Sequence, residues 1–464
     1  MKIELAKTEI IHFVGIGGIG MSGLALIMRG MGFNVQGSDI SNNKNIERLK
    51  KKKIRISINH KKKNVRNATI LVISSAIKKN NPELIEAKKK QLPIYKRGEM
   101  LAHIVSLTKN IVVTGSHGKT TTTSLLAAIF SKTKLDPTII NGGVINELNN
   151  SAKLGKSDWC ILEADESDGS FIHVPTTYTI VTNIDREHMD FYKSMSDLKN
   201  LFLEFINKVP SFGKSFICID DKNNLELTKK IKIKNYYTYG TNPKSQFYIK
   251  NIKQEKEFSE YDLSITLPGK KDISINKIKI PLLGIHNIRN ATAAVAVAST
   301  IGISKKVIKK GLKEFKGVQR RFNKIFTYRE TSFYDDYAHH PTEIKEVLNG
   351  VRIAYKKNEI ICIFQPHRIS RLKDLKKEFS LSFRKADTVI LCPVYVAGEK
   401  MKLGFNYNNF AKDIIKNSNV KLFLVDDQYE LAKFIKNNIY GKKIVIGMGA
   451  GTISTWMKEL PKLI

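Results

Sequence analysis

The chain has 464 residues, a net charge of +35, 64 lysines against 14 arginines, and four cysteines without a CxxC pair. This length predicts about three domains of roughly 150 residues each, and cysteines spaced so widely predict buried free thiols rather than disulfides or a zinc site. Arginine, the preferred bidentate phosphate ligand, is scarce, so we expect no nucleic-acid partner. No apolar run approaches the roughly 20 residues of a membrane span, so we expect a cytoplasmic protein without membrane insertion.

Strand and helix patterns alternate along most of the chain. The runs IIHFV, FNVQGSD and TILVISSA predict strands, and GMSGLALIMRGMG predicts a helix that stops at a glycine. A second α/β unit begins at KNIVVTG, continues through the helix TTTTSLLAAIFSK, and includes strands at SDWCILEAD and YTIVTNID. Residues 247–284 alternate like an antiparallel flap or side sheet, and a third α/β unit has strands near SFYDDY, EIICIFQPH, TVILCP, VKLFLV and KKIVIGMGAG.

The first glycine-rich loop has the spacing of a dinucleotide-binding fingerprint. Gly15, Gly17 and Gly20 lie between a predicted strand and helix, and Asp39 ends the next strand. Backbone N–H groups at a helix N-terminus bind any pyrophosphate, so the loop fits a nucleotide sugar as well as NAD. Asp39 would contact a ribose or a uracil edge, and a side chain at Gly17 or Gly18 is expected to displace the diphosphate.

The second glycine-rich loop, TGSHGKTTTT, predicts an ATP site. Lys119 and Thr120 follow Gly118, so an ammonium is available for the phosphates and a hydroxyl for Mg²⁺. The match to the usual phosphate-loop pattern is incomplete, because Val113 stands where its first glycine would be and Gly115 lies closer to the lysine.

Oxygen ligands for Mg²⁺ are available after two of the predicted strands. Glu163 and His188 are the candidates for a pair of metal sites that hold the terminal phosphate. Asp165, Glu166 and Asp168 follow the same strand as Glu163, and each of them fits a solvated strand-end charge as well as a ligand.

Ten motifs in this order resemble the ATP-dependent Mur ligases of peptidoglycan synthesis: FVGIGGIGMSGLA, GSDI, TGSHGKTTTTSLL, EADESDGSFIHV, TNIDREHMDFY, LLGIHNIRNATAA, GVQRRF, DDYAHHPTEI, QPHRISR and GMGAGTIS. The resemblance implies an α/β protein of three domains. They are an N-terminal Rossmann-like domain for a UDP-sugar (1–107), a central mixed α/β, P-loop ATPase-like domain (108–317), and a C-terminal Rossmann-like domain for an amino acid (318–464).

The resemblance also implies a reaction. ATP activates the lactyl carboxylate of UDP-N-acetylmuramate as an acyl phosphate, L-alanine attacks it, and ADP and phosphate are released. Two Mg²⁺ ions, with Mn²⁺ as a substitute, would assist, and closure of the domains would align the groups and exclude water. Oligomeric state stays open.

Most of the predicted site residues lie in the matching motifs. The UDP-sugar site is assigned Gly15, Gly17, Gly18, Gly20, Asp39, Ser74 and Ser75. The ATP site is assigned Gly115, Ser116, His117, Gly118, Lys119, Thr120, Thr121, Asn287, Asn290, Arg320, Arg321 and Asp336, with Asn287 and Asn290 at the adenine. The metal ligands are Thr120, Glu163 and His188. The amino-acid site is assigned Tyr337, His339, His367, Arg368 and Arg371. The catalytic set is Lys119, His188, His339, Arg368 and Arg371, with His339 as candidate proton acceptor.

Three alternatives remain open at the level of sequence. A ligase of the same family that attaches a preformed tripeptide to UDP-N-acetylmuramate would share both glycine loops. An NAD-dependent oxidoreductase would explain the first loop but leave the second without a role. A basic nucleic-acid-binding ATPase would require hydrolysis that nucleic acid stimulates and salt weakens.

Overall fold

The computed structural model describes residues 8–399 and 405–464. Within these ranges the strands form three sheets, of five, ten and six strands. The chain divides into two compact units, the first from Met1–Ile252, Tyr261–Ile280 and Arg289–Lys316, and the second from Lys253–Glu260, Pro281–Ile288 and Gly317–Ile464. The α/β class and three-sheet organisation are confirmed, and the predicted boundaries at 107 and 317 stay predictions. None of the described helices has the length and apolar character needed to cross a membrane.

The five-stranded sheet is parallel throughout. Its strands are β1 (Ile10–Val14), β2 (Asn34–Asp39), β3 (Arg55–Ile58), β4 (Ile70–Ile73) and β5 (Ile94–Lys96), and its helices are α1 (Ile19–Met31), α2 (Lys44–Lys51), α3 (Pro82–Lys89) and α4 (Arg97–Val105). The strand order is β3-β2-β1-β4-β5, so the chain leaves β1 toward one edge and later returns on its other side. The first glycine loop follows β1 and lies at this switch point, where open parallel sheets bind ligands.

Helix α1 shows how local sequence sets an element. Gly18 is its N-cap, and the helix ends at Gly32, whose φ of 106° suits glycine and whose N–H donates to the last carbonyls. Apolar residues along one face bury the helix, and α1 packs on β7 (Thr138–Ile145) and β8 (Asn150–Lys153) of the ten-stranded sheet within the first unit. The predicted helix and its glycine stop are confirmed.

The ten-stranded sheet carries the second glycine loop. Besides β7 and β8, its strands are β6 (Lys109–Thr114), β9 (Trp159–Glu163), β10 (Tyr178–Val181), β11 (Lys214–Cys218), β12 (Tyr236–Gly240), β13 (Phe247–Gln254), β14 (Ser259–Ile265) and β15 (Ile273–Ile280). Its helices are α5 (Lys119–Phe130), α6 (Met195–Asn207), α7 (Lys222–Thr228), α8 (Ile285–Ile301) and α9 (Lys305–Lys313). Strand β6 lies between β9 and β10 and is parallel to both.

The antiparallel flap or side sheet expected at residues 247–284 is not a sheet of its own. The sheet order is β15-β14-β13-β12-β11-β10-β6-β9-β7-β8, so these strands extend one edge of the ten-stranded sheet. The continuation is made by β13, which pairs in parallel with β12 through Tyr239 and Gly240. Alternating polarity identified these strands correctly but does not encode which sheet they join.

The six-stranded sheet forms the core of the second unit. Its strands are β16 (Asn323–Tyr328), β17 (Thr331–Asp336), β18 (Ile360–Phe364), β19 (Thr388–Leu391), β20 (Lys421–Leu424) and β21 (Ile444–Met448), in the order β16-β17-β21-β18-β19-β20. Its helices are α10 (Pro341–Ala354), α11 (Ile369–Asp374), α12 (Lys376–Leu381), α13 (Tyr407–Ser418), α14 (Gln428–Asn438) and α15 (Ile453–Leu463). The five predicted strands are confirmed, and β16, an antiparallel edge strand, was not predicted. All four cysteines are buried free thiols, as expected.

Candidate active site

The first glycine loop is shaped by the end of β2. Gly15 has a φ of 83°, and its N–H and that of Ile16 donate to the Ser38 carbonyl at 2.9 and 3.0 Å. The N–H of Gly17 donates to Asp39 Oδ2 at 2.8 Å. Asp39 therefore braces the loop, and its predicted contact with a ribose or uracil stays a prediction.

Gly17 and Gly18 face different surroundings. A Cβ on Gly17 would lie 2.6 Å from Asn43 Nδ2 and 2.9 Å from Asp39 Oδ2, so a side chain there would displace the protein's own groups. On Gly18 the nearest described atom would be Gly15 O at 3.5 Å, and Gly18 is exposed. Gly17 is enclosed by the protein's own groups and Gly18 is the open position before α1, and the predicted contact of both residues with the diphosphate stays a prediction.

Arg97 is a residue near this loop that sequence reasoning missed. A Cβ on Gly20 would lie 3.2 Å from Arg97 Cδ, so the arginine lies beside the first turn of α1. Its charge also acts on Asp165 of the ten-stranded sheet. The sequence does place an arginine directly after a short strand, but the direction of its side chain depends on how α4 packs. Ser74 and Ser75 follow β4, and Ser75 is exposed.

The second glycine loop is held by the segment that follows β10. Ser116 N–H donates to the Asn183 carbonyl at 3.0 Å, and His117 N–H donates to Asn183 Oδ1 at 2.9 Å. The His117 ring contacts Asp185 Oδ2 at 2.9 Å. Gly118, with a φ of 85°, is the N-cap of α5, so the backbone turns there directly into the helix. These hydrogen bonds hold the loop as a cradle at a helix N-terminus, the arrangement that binds phosphate.

Lys119 is largely enclosed by oxygen atoms at the start of α5. Its Nζ donates to the carbonyl of Gly115 at 2.7 Å and to Glu166 Oε2 at 2.8 Å. Burial opposes its charge, but the nearby carboxylates raise the pKa of Lys119 above its usual range. The next residue, Thr120, donates through Oγ1 to Glu163 Oε1 at 3.1 Å. Thr120 and Glu163 are therefore together, as predicted for one metal site.

A second group of candidate metal ligands contains two carboxylates for which the sequence did not decide between a ligand and a solvated charge. One ligand atom from each of Asp165, Glu166 and His188 lies within 4.8 Å of the others. Burial raises the pKa of the Glu166 carboxyl to about 7, with Lys119 opposing it. Burial also opposes ionisation of Asp165, but the charges of Lys119, Arg97 and His188 hold its pKa below the usual range.

This group fits a divalent cation on structural grounds. Glu166 Oε1 is buried and accepts no hydrogen bond from any residue in the described ranges. His188 Nε2 lies 4.0 Å from that oxygen. A buried acceptor beside a carboxylate and an imidazole has the donor chemistry of a metal site.

Helix α8 carries the two asparagines assigned to adenine. A Cβ on Gly118 would lie 2.5 Å from Asn290 Oδ1, so Asn290 packs against the phosphate loop. Asn287 Nδ2 donates to the Leu283 carbonyl at 2.8 Å. On α5, Thr121 is also assigned to ATP, and it is buried in the first turn of that helix. Contact with adenine stays a prediction for both asparagines.

In the second unit, aromatic rings and arginines form a cluster at the end of β18. His367 stacks on Tyr395 with centroids 5.6 Å apart and meets His339 edge-on at 5.8 Å. Arg371 Nη1 lies 3.3 Å from His367 Nδ1. Burial, with the positive neighbours, lowers the pKa of His367 to about 3, so this imidazole is neutral at neutral pH.

The remaining predicted residues of the second unit lie around Tyr337. Arg320 lies over the Tyr337 ring, 4.6 Å from its centroid, and donates to the Gly449 carbonyl at 2.6 Å. Arg321 lies 5.4 Å from the same centroid. Burial raises the pKa of Asp336 to about 6, although Arg321 opposes the shift. Tyr337, His339, His367 and Arg371 are thus brought together as predicted.

The largely parallel sheets, with a glycine loop at the strand ends of two of them, are typical of α/β nucleotide-binding proteins. The chain belongs to the Mur ligase family. Family models match in order over residues 10–109 (Mur ligase family, catalytic domain), 113–298 (Mur ligase middle domain) and 320–451 (Mur ligase, glutamate ligase domain).

Relatives and solved structures agree with this assignment. The chain is 83% identical over 464 residues to UDP-N-acetylmuramate–L-alanine ligase of Pelagibacter ubique, with all of both chains covered. It is 42% identical to the enzyme of that name from Bartonella bacilliformis, covering 100% of this chain and 97% of the relative. The crystal structure of UDP-N-acetylmuramate-alanine ligase from Thermotoga maritima matches with a TM-score of 0.81 at 26% identity, covering 97% and 98% of the chains.

Proposed function

We propose that this chain joins L-alanine to the lactyl carboxylate of UDP-N-acetylmuramate, with release of ADP and phosphate, in the synthesis of peptidoglycan precursors. The observation that carries the proposal is the 83% identity over the whole chain to a relative named for this reaction. The structure supports it with a phosphate cradle at Gly118 and a separate cluster of arginine and histidine that fits a free amino acid.

The first chemical task is activation of the carboxylate, because a carboxylate and an amine do not condense in water. The lactyl carboxylate attacks the terminal phosphate of ATP and forms an acyl phosphate. The N–H groups of the loop and the ammonium of Lys119 stabilise charge on the transferred group. Lys119 is preorganised for this, because the Gly115 carbonyl and Glu166 already hold its Nζ.

Two sets of residues would hold Mg²⁺ in this proposal. Thr120 and Glu163 form one set, and Asp165, Glu166 and His188 form the other. When bound, Mg²⁺ supplies positive charge that offsets repulsion between the phosphate and the incoming carboxylate.

The second task is attack by the amine of L-alanine. Arg368 and Arg371 hold the alanine carboxylate, since a guanidinium binds a carboxylate through paired N–H groups. His367 is neutral and therefore accepts a hydrogen bond from the substrate without repelling its ammonium. His339 is the proposed proton acceptor, and its Nδ1 lies 3.3 Å from Glu343, which would stabilise the imidazolium.

The test is phosphate release from ATP with UDP-N-acetylmuramate and one acceptor at a time. L-alanine is expected to support turnover, whereas the tripeptide L-alanyl-γ-D-glutamyl-meso-diaminopimelate is not. Turnover with the tripeptide alone would assign the chain to the recycling activity instead. Tight NADH binding to the unmodified protein would overturn the assignment of the first glycine loop to a UDP-sugar.

A further inference from the structure

Tyr395 lies in the segment Val394–Glu399, hereafter the 394–399 loop, which follows β19. Its backbone is paired with the predicted amino-acid site: Tyr395 N–H donates to the Pro366 carbonyl at 2.8 Å, and Arg368 N–H donates to the Tyr395 carbonyl at 2.9 Å. Its ring stacks on His367 with an interplanar angle of 15°. Main chain and side chain therefore both join this loop to the end of β18.

The ring of Tyr395 is also confined from the opposite side. A Cβ on Gly451 would lie 2.6 Å from Tyr395 Cγ and 2.7 Å from Tyr395 Cβ, so the tyrosine packs directly on the glycine backbone. Tyr395 is 40% exposed. A ring held between His367 and Gly451 has no space to swing back, so its exposed edge is a fixed surface beside the arginines.

The same loop fixes the backbone that carries these arginines. Arg368 has a φ of 68°, a strained conformation for a residue with a side chain. Its N–H is held by Tyr395, and the next two N–H groups, of Ile369 and Ser370, donate to Glu399 Oε2 at 2.8 and 3.1 Å. Helix α11 therefore receives its cap from the 394–399 loop rather than from Arg368.

We propose that Tyr395 is a wall of the acceptor pocket and limits the size of the acceptor side chain. The inference rests on the proposed function. An amino acid whose carboxylate is held by Arg368 and Arg371 has its side chain next to the stacked rings of His367 and Tyr395. Since Gly451 blocks movement of the ring toward it, a methyl group fits and a longer chain meets the ring.

The experiment compares acceptors in Tyr395→Ala. In the unmodified enzyme, kcat/KM is measured for L-alanine and for L-2-aminobutyrate, which has one more methylene. The ratio of aminobutyrate to alanine is expected to rise about tenfold or more in Tyr395→Ala, the scale on which a pocket discriminates one methylene. Tyr395→Phe keeps the ring and should keep the low ratio.

Control variants distinguish a steric limit set by the Tyr395 ring from a general loss of structure. Tyr429→Ala removes a tyrosine that is 64% exposed on α14 of the same unit, and it should keep the wild-type ratio. Tyr395→Leu is the second variant in case Tyr395→Ala does not fold, and it should show an intermediate ratio. An unchanged ratio in a folded Tyr395→Ala or Tyr395→Leu protein would overturn the inference and leave the proposed function standing. Failure of the unmodified chain to use L-alanine would instead overturn the proposed function.

Discussion

Glu83 is completely buried behind the first glycine loop, and replacing it with glutamine should weaken both stability and UDP-sugar binding. Its carboxylate accepts hydrogen bonds from a surrounding set of donors: His12, Ser38, His60, the backbone of Lys61, and Asn64. Ser38 is the link to the loop, because its carbonyl accepts the N–H groups of Gly15 and Ile16. A change at Glu83 is therefore transmitted to the loop through one residue.

The size of the effect follows from the pKa of Glu83. Burial is the largest single influence and opposes the charge, but the hydrogen bonds from His12, Ser38 and Asn64 together with the charge of His12 outweigh it and lower the pKa from 4.5 to about 2. That difference corresponds to about 3 kcal/mol of stability at neutral pH. Because the folded pKa is the lower one, this stability is present above about pH 4.5 and is lost as the pH falls toward about 2, with about 1.4 kcal/mol gone at about pH 3.5.

A separate argument gives a similar figure. Glutamine has one acceptor oxygen, so Glu83→Gln leaves some of these donors without an acceptor, and each buried donor left unpaired costs about 1–3 kcal/mol. The first unit has about 300 residues, so a loss of about 3 kcal/mol should lower its thermal midpoint by roughly 5 °C at neutral pH. The KM for UDP-N-acetylmuramate should rise as well.

Thermal unfolding is followed by calorimetry at neutral pH and at about pH 3.5, in the wild type, Glu83→Gln and Glu86→Gln. Glu86 lies on the same helix and is partly exposed, so its substitution should have little effect. The difference in thermal midpoint between wild type and Glu83→Gln should become smaller at the lower pH, because the wild-type carboxylate begins to protonate. Equal thermal midpoints at neutral pH, or a difference in midpoint that does not change with pH, would refute the reasoning.

Three further predictions concern the nucleotide sites. Gly18→Val should raise the KM for UDP-N-acetylmuramate with little change in ATP affinity measured by calorimetric titration, and a selective loss of ATP binding would reverse the assignment of the two loops. Glu163→Gln and His188→Ala should each raise the Mg²⁺ concentration that gives half-maximal activity, and an unchanged requirement in both would remove them from the metal sites. Lys119→Ala should lower kcat by about 100-fold or more, and near-normal turnover would exclude the lysine from catalysis. Because this substitution leaves Glu166 buried without its cation, the stability of the protein should also fall unless Glu166→Gln is added.

The features that could be predicted from the sequence are those encoded within one short segment. An apolar run followed by glycines specifies a buried strand and the turn after it, and Gly32 specifies where α1 stops. The membership of Lys119 and Thr120 in a phosphate loop is local in the same way. The strands, the helices and the positions of the two loops between them are confirmed by the fold, and the phosphates assigned to the loops stay a prediction.

What could not be predicted depends on packing between distant segments. Glu163 ends β9 and three more carboxylates follow it, and only side-chain direction decides that Glu163 meets Thr120 whereas Glu166 meets Lys119. Tyr395 was missed because no local motif marks it, and it reaches His367 only through the lateral pairing of β18 with β19.

One geometric rule accounts for the position of both candidate sites. In the ten-stranded sheet, β6, β9 and β10 are parallel neighbours, so the phosphate loop, Glu163 and the segment that holds His188 follow strands ending at the same edge. In the six-stranded sheet, β18, β19 and β21 are also parallel neighbours, and His367, Tyr395 and Gly451 follow them. Since all strands in a parallel set end at one edge, residues far apart in sequence converge there without any local signal. The sequence can therefore locate a site at the strand ends, but only the lateral order of the strands tells which side chains share it.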